Sequence, residues 1–313
     1  MKKTAKILVS GSIVFDTIFD LESAISDQVS IENGIASKQN LMFLAKQKKV
    51  YYGGTGGNIS YGLGLLGHKP SLFSIVGRDF VEYEKHLKSK GIILKTKKDP
   101  AGYSATYYSM TDTKKEQIGI FQGGVYHTHI NDVSLADNIS VKEIVSYDYA
   151  IFSPGTAKSI VKQMYEFRKI NKKAVIIFDP GQMIAISFDE KLLEKALKIA
   201  DIAVWNDVEA NYLHNHFKFD LKKIFSIGVK KVVETRGALG SVLFTQVDGE
   251  IVETKVEALK VKKVLDPTGA GDAFRAGLID GLVQGLPFDK AMKMGAKLGA
   301  KCVASQGGQT YTI

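Results

Sequence analysis

Residues 174–181 read Ala174-Val175-Ile176-Ile177-Phe178-Asp179-Pro180-Gly181, a continuous apolar run that stops at a turn. Apolar runs without alternation are typical of strands that are buried on both faces of a parallel sheet. Similar short runs lie on either side in the sequence, at residues 149–152, 202–205 and 231–235. Helical patterns separate them, at residues 160–170, 192–199 and 207–217. This alternation predicts an α/β fold with a mainly parallel central sheet and helices on both faces.

An early strand and two hairpins complete the predicted fold. The apolar segment 7–15 is interpreted as a first buried strand. Residues 104–112 and 117–121 read as a polar hairpin, which we interpret as a small β-sheet lid over the carboxyl ends of the strands. A second hairpin is predicted at residues 240–256. Since no repeat or linker divides the chain, we expect a single domain over residues 1–313, with lid elements near residues 16–52 and 100–125.

The composition is that of an ordinary globular enzyme. Of the 313 residues, 45% are hydrophobic and 24% are charged, and the formal net charge is +9. The lysines are scattered, without a basic tail or a zinc-finger spacing, so we expect no nucleic-acid partner. No run of about 18 apolar residues indicates a membrane span. The single cysteine, Cys302, excludes an intrachain disulfide, and with the missing secretory signal it favours the cytoplasm.

The most informative segment for chemistry is Asp266-Pro267-Thr268-Gly269-Ala270-Gly271-Asp272, which leads into a helical pattern. Gly269, Ala270 and Gly271 leave backbone amides bare at a helix start, where the orphan donors and the helix dipole favour an anion. Such a nest suits the charge on a phosphoryl group in transfer, and Asp272 would accept the proton of the attacking hydroxyl. The alternative is an ordinary acid in the first turn of a helix.

These residues resemble the C-terminal signature of the ribokinase-like (PfkB) carbohydrate kinases. The N-terminal signature has a counterpart in Gly53-Gly54-Thr55-Gly56-Gly57-Asn58, so the resemblance covers essentially the whole chain. It implies a kinase, with Asp272 as the catalytic base and ATP and Mg²⁺ as cofactors. The acceptor-binding residues that it implies include Ser12, Asp16, Gly54 and Asn58.

The resemblance also implies a nucleotide site and two cation sites. The residues implied at the ATP site are Asn206, Thr235, Gly237, Gly240 and Arg275. Glu209 would hold Mg²⁺, either directly or through a water molecule. Asp266 and Thr268 would hold a monovalent cation such as K⁺, together with backbone carbonyls near residues 305–308. Alternatives stay open: Asn206 and Glu209 fit a capped surface helix, and Arg275 fits a solvated helix arginine.

Within the family, the signatures look most like those of the bacterial adenosine kinase branch. Tyr107 and Phe121 fall where that branch places aromatic side chains against the base, and packing within the lid or a dimer contact is the alternative for both. Gln182 matches a glutamine that contacts the substrate. We therefore expect phosphorylation of a hydroxymethyl group on a small molecule, with adenosine converted to AMP as the first choice. A ribokinase- or fructokinase-type sugar kinase is the alternative, and a non-catalytic sugar- or nucleoside-binding protein is a remote one. Lids of this kind often pair, so a homodimer through the lid is also considered.

One pattern points elsewhere. Residues 62–67 read Gly62-Leu63-Gly64-Leu65-Leu66-Gly67 and match the dinucleotide-binding fingerprint literally. They lie inside a predicted helix, whereas the fingerprint needs a turn between a strand and a helix. Close helix packing explains these glycines better, so a nicotinamide-dependent oxidoreductase is disfavoured.

Overall fold

The structure is a computed structural model that describes residues 3–27, 31–32, 35–36 and 42–313. Residues 28–30, 33–34 and 37–41, which belong to the predicted lid segment 16–52, lie outside the described residues. The strands are β1 Ile7–Ser10, β2 Val14–Leu21, β3 Ile31–Glu32, β4 Ile35–Ala36, β5 Ala45–Gly53, β6 Ser71–Phe73, β7 Ile75–Val76, β8 Ile93–Leu94, β9 Lys97–Lys98, β10 Ala105–Thr111, β11 Gln117–Gln122, β12 Tyr149–Phe152, β13 Val175–Phe178, β14 Ile202–Asn206, β15 Lys231–Thr235, β16 Ser241–Val247 and β17 Glu250–Val256. The helices are α1 Thr55–Leu65, α2 Val81–Ser89, α3 Gly124–His129, α4 Val141–Val145, α5 Ala157–Ile170, α6 Met183–Ile186, α7 Glu190–Ile199, α8 Asp207–Phe217, α9 Leu221–Ile227, α10 Ala270–Val283 and α11 Phe288–Val303.

The central sheet has nine strands in the order β17-β16-β15-β14-β13-β12-β1-β6-β8. The strands from β15 to β8 pair in parallel, and the hairpin of β16 and β17 adds an antiparallel edge. The predicted α/β architecture and the second hairpin are therefore confirmed.

Both faces of this sheet are buried, because successive residues of each strand enter different cores. Leu8 packs with α5 and α7 on one face, whereas Ile7 and Val9 pack with α1, α10 and α11 on the other. This two-sided burial explains why the strands read as continuous apolar runs. In the part of the chain that the structure describes, no helix is long and apolar enough to cross a membrane.

A second, small sheet has the order β11-β10-β2-β5, and we call it the small sheet. The hairpin of β10 and β11 confirms the predicted one, and β2 lies between β10 and β5.

The single strand predicted over residues 7–15 is wrong. β1 ends at Ser10, and β2 starts at Val14 in the other sheet. The break falls at Gly11, where a Cβ atom would lie 1.9 Å from Ser153 Oγ and 3.0 Å from the Gly56 backbone. The chain changes sheets here because α1 begins against this backbone, a contact between residues that are distant in sequence.

Candidate active site

The turn that precedes α10 is held by Asp266. Its Oδ1 accepts the Thr268 amide at 2.9 Å, and its Oδ2 accepts the Gly307 amide at 2.9 Å. Gly269 is the N-cap of α10 with φ 78°, and a Cβ atom there would lie 2.9 Å from Gly308 Cα. Only glycine combines this left-handed backbone with so close an approach. Asp266 therefore clamps the helix start to the segment around residue 307.

The helix start is open to an anion in part. Among the described residues, no side chain caps α10, so its first-turn dipoles stay available. The Ala270 amide, however, donates to the Pro267 carbonyl at 3.2 Å. The expectation that the amides of Gly269, Ala270 and Gly271 are all bare is thus wrong for Ala270, because the turn closes on itself.

Asp272 lies in the first turn of α10 and is 8% exposed. Burial raises the pKa of its carboxyl to about 7, against the opposing charge of Arg275 and a hydrogen bond from Asn58. Asn58 Nδ2 donates to Asp272 Oδ2 at 2.8 Å. A carboxylate whose pKa is near neutrality is well suited to accept a proton from a hydroxyl group.

Asp16 faces the same place from β2 in the small sheet. Burial, together with the charges of Asp266 and Asp272, raises the pKa of its carboxyl to about 7. A Cβ atom at Gly53 would lie 2.1 Å from Asp16 Oδ2. The absence of a side chain at Gly53 therefore leaves room for this carboxyl group. The charges of Asp266, in the turn before α10, and of Asp272, in the first turn of α10, therefore both act on Asp16 of β2.

The start of α1 joins this cluster. Gly54 is the N-cap of α1 with φ 83°, and a Cβ atom there would lie 2.6 Å from the Ser12 carbonyl oxygen. The Ser12 carbonyl accepts the Gly57 amide at 3.2 Å, and its hydroxyl lies 3.3 Å from Thr55 Oγ1. The structure thus brings Ser12, Gly54 and Asn58 to the edge where Asp272 lies.

A row of side chains crosses the small sheet beside Asp16. The strand register pairs Asp16 with Tyr51 of β5 and with Tyr107 of β10, and Tyr107 with Phe121 of β11. Paired residues of neighbouring strands point to the same face of a sheet. Phe121 is 58% exposed, whereas Tyr107 is half-buried. The face that carries Asp16 therefore also carries three aromatic rings, one of them, Tyr51, not foreseen from the sequence.

The residues expected at a nucleotide site lie at the carboxyl ends of β14 and β15, where Asn206 pairs with Thr235. Parallel α/β sheets bind ligands outside this edge. Gly237 and Gly240 follow in the turn before β16, with positive φ angles of 54° and 89°. Around Gly237 no described atom lies within 4 Å of an added Cβ, so its backbone is open to solvent.

Asn206 and Glu209 form a capping box at the start of α8. Asn206 Oδ1 accepts the Glu209 amide at 2.8 Å, and Glu209 Oε2 accepts the Asn206 amide at 2.9 Å. Burial raises the pKa of Glu209, and the charge of Asp179 acts in the same direction. The capped surface helix considered from the sequence is therefore present, with Asp207 and Val208 exposed, although the side chain of Glu209 is buried.

Arg275 is 7% exposed and forms a buried ion pair with Asp179. Its Nη2 donates to Asp179 Oδ1 at 2.6 Å, and its Nε lies 2.5 Å from Oδ2. The solvated helix arginine is wrong, because α10 turns this side chain towards the carboxyl end of β13. Gln182 lies just beyond Asp179 and is exposed; in the described chain, no side-chain hydrogen bond ties it to the cluster.

Gln309 and Tyr83 were not found from the sequence, yet both contact the acceptor-side residues. Gln309 Nε2 donates to Asn58 Oδ1 at 3.0 Å and also to the Tyr83 hydroxyl, which donates to the Gly53 carbonyl at 2.7 Å. The one available signal was the position of Gln309 directly after the segment 305–308. Tyr83 lies in an unremarkable helical pattern, so nothing local marks it.

The carboxyl group of Glu209 fits a Mg²⁺ ion that keeps most of its water ligands. In the described residues, no group of three or more His, Cys, Asp or Glu side chains could hold a metal. Mg²⁺ commonly keeps several waters and takes the rest of its ligands from phosphates and one or two carboxylates. Glu209, with one carboxylate oxygen in its capping box, fits such an ion through water.

The chain matches known proteins over almost its whole length. The family model described as pfkB family carbohydrate kinase matches residues 7–313. The chain belongs to this family. A nucleoside kinase of Methanocaldococcus jannaschii is 29% identical, over 98% of this chain and 93% of the relative.

Solved structures of pfkB-family kinases share the fold. The nucleoside kinase of Burkholderia thailandensis in complex with inosine superposes with a TM-score of 0.79 and 28% identity, over 98% of this chain and 93% of that one. The Methanocaldococcus jannaschii nucleoside kinase gives a TM-score of 0.84 with 25% identity, over 100% and 96% of the two chains. The ribokinase-like fold and the assignment as a kinase are therefore confirmed.

Proposed function

We propose that this kinase transfers the γ-phosphoryl group of ATP to the hydroxymethyl group of a nucleoside, with adenosine as the first candidate. The observation that carries this proposal is the row across the small sheet. Asp16 offers a carboxyl group to ribose hydroxyls, and Tyr107 and Phe121 lie in register beside it. A flat base gains from stacking on aromatic rings, whereas a bare sugar does not. Relatives named nucleoside kinase support the same choice.

In the proposed reaction, the acceptor lies between the small sheet and the start of α10. Ser12, Gly54 and Asn58 line its sugar side, and Asp272 accepts the proton from the attacking hydroxyl. The oxygen then forms its bond to the γ-phosphorus while the bond to the β,γ-bridging oxygen breaks and ADP leaves. Amide dipoles of the turn at Gly269 and Gly271 stabilise the transferring group.

On the nucleotide side, ATP lies along Asn206, Thr235, Gly237 and Gly240 at the edge of β14 and β15. The positive charge of Arg275 acts on Asp272, while Arg275 keeps its ion pair with Asp179. Glu209 would hold Mg²⁺ through water, and a bound Mg²⁺ neutralises phosphate charge. Asp266 and Thr268 remain the proposed contacts of a monovalent cation.

The small sheet is proposed to serve as a lid that excludes water from the acceptor site. Its other face exposes Tyr108 and Ile120, which are cross-strand partners. These apolar side chains support a homodimer through this sheet, which stays a prediction.

An ADP-release assay tests the proposed function. Adenosine, inosine, cytidine, ribose, fructose and fructose 6-phosphate are compared as acceptors, and each assay is repeated with Asp272→Asn. A mock purification from cells without the protein gives the background of contaminating kinases. We expect the highest kcat/KM with a purine nucleoside. Turnover of ribose or fructose that exceeds that of every nucleoside would instead establish the sugar kinase alternative, and ADP release that persists in Asp272→Asn would refute its role as base.

A further inference from the structure

We propose that Gln309 is a positioning residue, which fixes the orientation of the Asn58 amide so that its nitrogen faces Asp272. The catalytic importance of this residue rests on the proposed function. The hydrogen bonds that orient Asn58 do not depend on that function. Gln309, Asn58 and Asp272 form a continuous chain of side-chain hydrogen bonds. Asn58 and Gln309 lie 251 residues apart in the sequence.

The direction of each hydrogen bond follows from the one before it. A tyrosine hydroxyl carries a single hydrogen, and that of Tyr83 is donated to the Gly53 carbonyl at 2.7 Å. The Tyr83 oxygen can therefore only accept from Gln309, so the group that faces it is the amide nitrogen, Nε2. The second hydrogen of Nε2 is donated to Asn58 Oδ1 at 3.0 Å.

The consequence falls on Asn58. Because its oxygen is held by Gln309, its nitrogen is left to donate to Asp272 Oδ2 at 2.8 Å. The reversed amide would place an oxygen against the carboxylate and a nitrogen against another nitrogen, which loses both hydrogen bonds. Water cannot substitute easily, since Gln309 and Asn58 are each 4% exposed and Tyr83 is 0% exposed.

The titratable groups around the hydrogen bonds that join Gln309, Asn58 and Asp272 are mostly acidic or neutral. The titratable groups that act on Asp272 or are acted on by it are Asp16, Asp179, Glu209, Arg275, Cys302, Tyr83 and Tyr311. Asp266 acts on Asp16 in the same cluster. Burial lowers the pKa of His86, and the charge of Lys90 acts in the same direction. Apart from Arg275, Asn58 is the group whose interaction lowers the pKa of Asp272, so its orientation matters for ionisation.

The test measures the ionisation of Asp272 directly. The protein is labelled with ¹³C at the aspartate carboxyl groups, and the Asp272 signal is assigned by its loss in Asp272→Asn. Gln309→Met keeps the length of the side chain and removes both amide hydrogens. We expect it to raise the midpoint of the Asp272 titration by about one pH unit, as for the loss of one hydrogen bond to a charged group. The acidic limb of the kcat profile should move by the same amount.

A double-mutant cycle separates positioning from a general structural effect. In an Asn58→Ala background, Gln309→Met should add no further change, because its effect passes through Asn58. Gln246→Met on the exposed hairpin is the matched control and should leave the titration unchanged. If Gln309→Met does not fold, Tyr83→Phe is used instead. It removes the hydroxyl that accepts a hydrogen bond from Gln309 Nε2, and it should shift the Asp272 titration in the same direction by a smaller amount.

The outcomes are distinct. An unchanged Asp272 titration in the folded Gln309 or Tyr83 variant, or an equal shift with and without Asn58, overturns the inference. Because the titration needs no acceptor, a shift that depends on Asn58 supports the inference even if no nucleoside is phosphorylated. In that case the proposed function alone fails. Nucleoside turnover with no titration shift refutes only the positioning role.

Discussion

Replacing Asp272 by asparagine should make the protein more stable, by an amount that grows with pH. Below pH 3.8 neither the folded nor the unfolded state carries the charge. Between pH 3.8 and about 7 the unfolded state releases a proton that the folded state retains, so folding becomes less favourable as the pH rises. Above about pH 7 the folded state carries a buried charge, and the cost stays constant.

The difference between 3.8 and about 7 corresponds to about 4 kcal/mol at about 1.4 kcal/mol for each pH unit. Asp16 and Asp272 act on each other, so part of this cost belongs to the pair. We therefore expect Asp272→Asn to gain about 2–4 kcal/mol above pH 7.5 and about 1–2 kcal/mol near pH 5. Asparagine keeps an oxygen that can accept the hydrogen bond from Asn58.

Urea unfolding at about pH 5, 6.5 and 8.5 measures these free energies. Glu250→Gln on β17 is the control, since it removes the charge of an exposed carboxyl group. Equal stability of the wild type and Asp272→Asn at the highest pH, or a gain that shrinks as the pH rises, would show that burial does not hold the pKa of Asp272 near neutrality.

Three further changes test other parts of the structure. Arg275→Met should destabilise the protein by about 3–5 kcal/mol, because it leaves Asp179 buried without its partner, and adding Asp179→Leu should restore much of this in urea unfolding. Gly54→Ala places a Cβ atom 2.6 Å from the Ser12 carbonyl at a residue with φ 83°. We expect the free energy of unfolding to fall by more than about 1 kcal/mol and the KM for the acceptor to rise. Wild-type values for both would contradict the packing described at α1. Phe121→Ala, at an exposed position, should change stability by less than about 0.5 kcal/mol yet raise the nucleoside KM about tenfold at unchanged ATP KM, and an unaltered nucleoside KM would remove the stacking role.

The parallel sheet could be predicted because its strands bury both faces. A strand such as β13 reads as an unbroken apolar run, and the helices between the strands keep their own period. The division of residues 7–15 between two sheets could not be predicted. It depends on the approach of Gly11 to Ser153 and to Gly56, and neither contact is visible in the local pattern.

The site was predictable where one short segment holds several of its parts. The turn before Asp272 and the start of α1 each carry one glycine with positive φ, Gly269 and Gly54, within a recognisable pattern of small residues. Residues that act through distant contacts leave no such pattern. Gln309 reaches Tyr83 across 226 positions, and Arg275 is paired with Asp179 across 96 positions. Their partners belong to distant elements: Tyr83 lies in α2, and Asp179 follows β13.

The order of the chain has a consequence for synthesis. Every strand of the parallel part of the central sheet, from β1 to β15, precedes residue 236, whereas Asp266, Gly269 and Asp272 come later. During translation, a nascent chain can therefore assemble its main β scaffold, and the Asp16 and Asn58 half of the site, before the phosphoryl-transfer half leaves the ribosome. If the proposed roles of these residues hold, interrupted products that stop in the β16–β17 hairpin lack the proposed catalytic base and transfer no phosphoryl group.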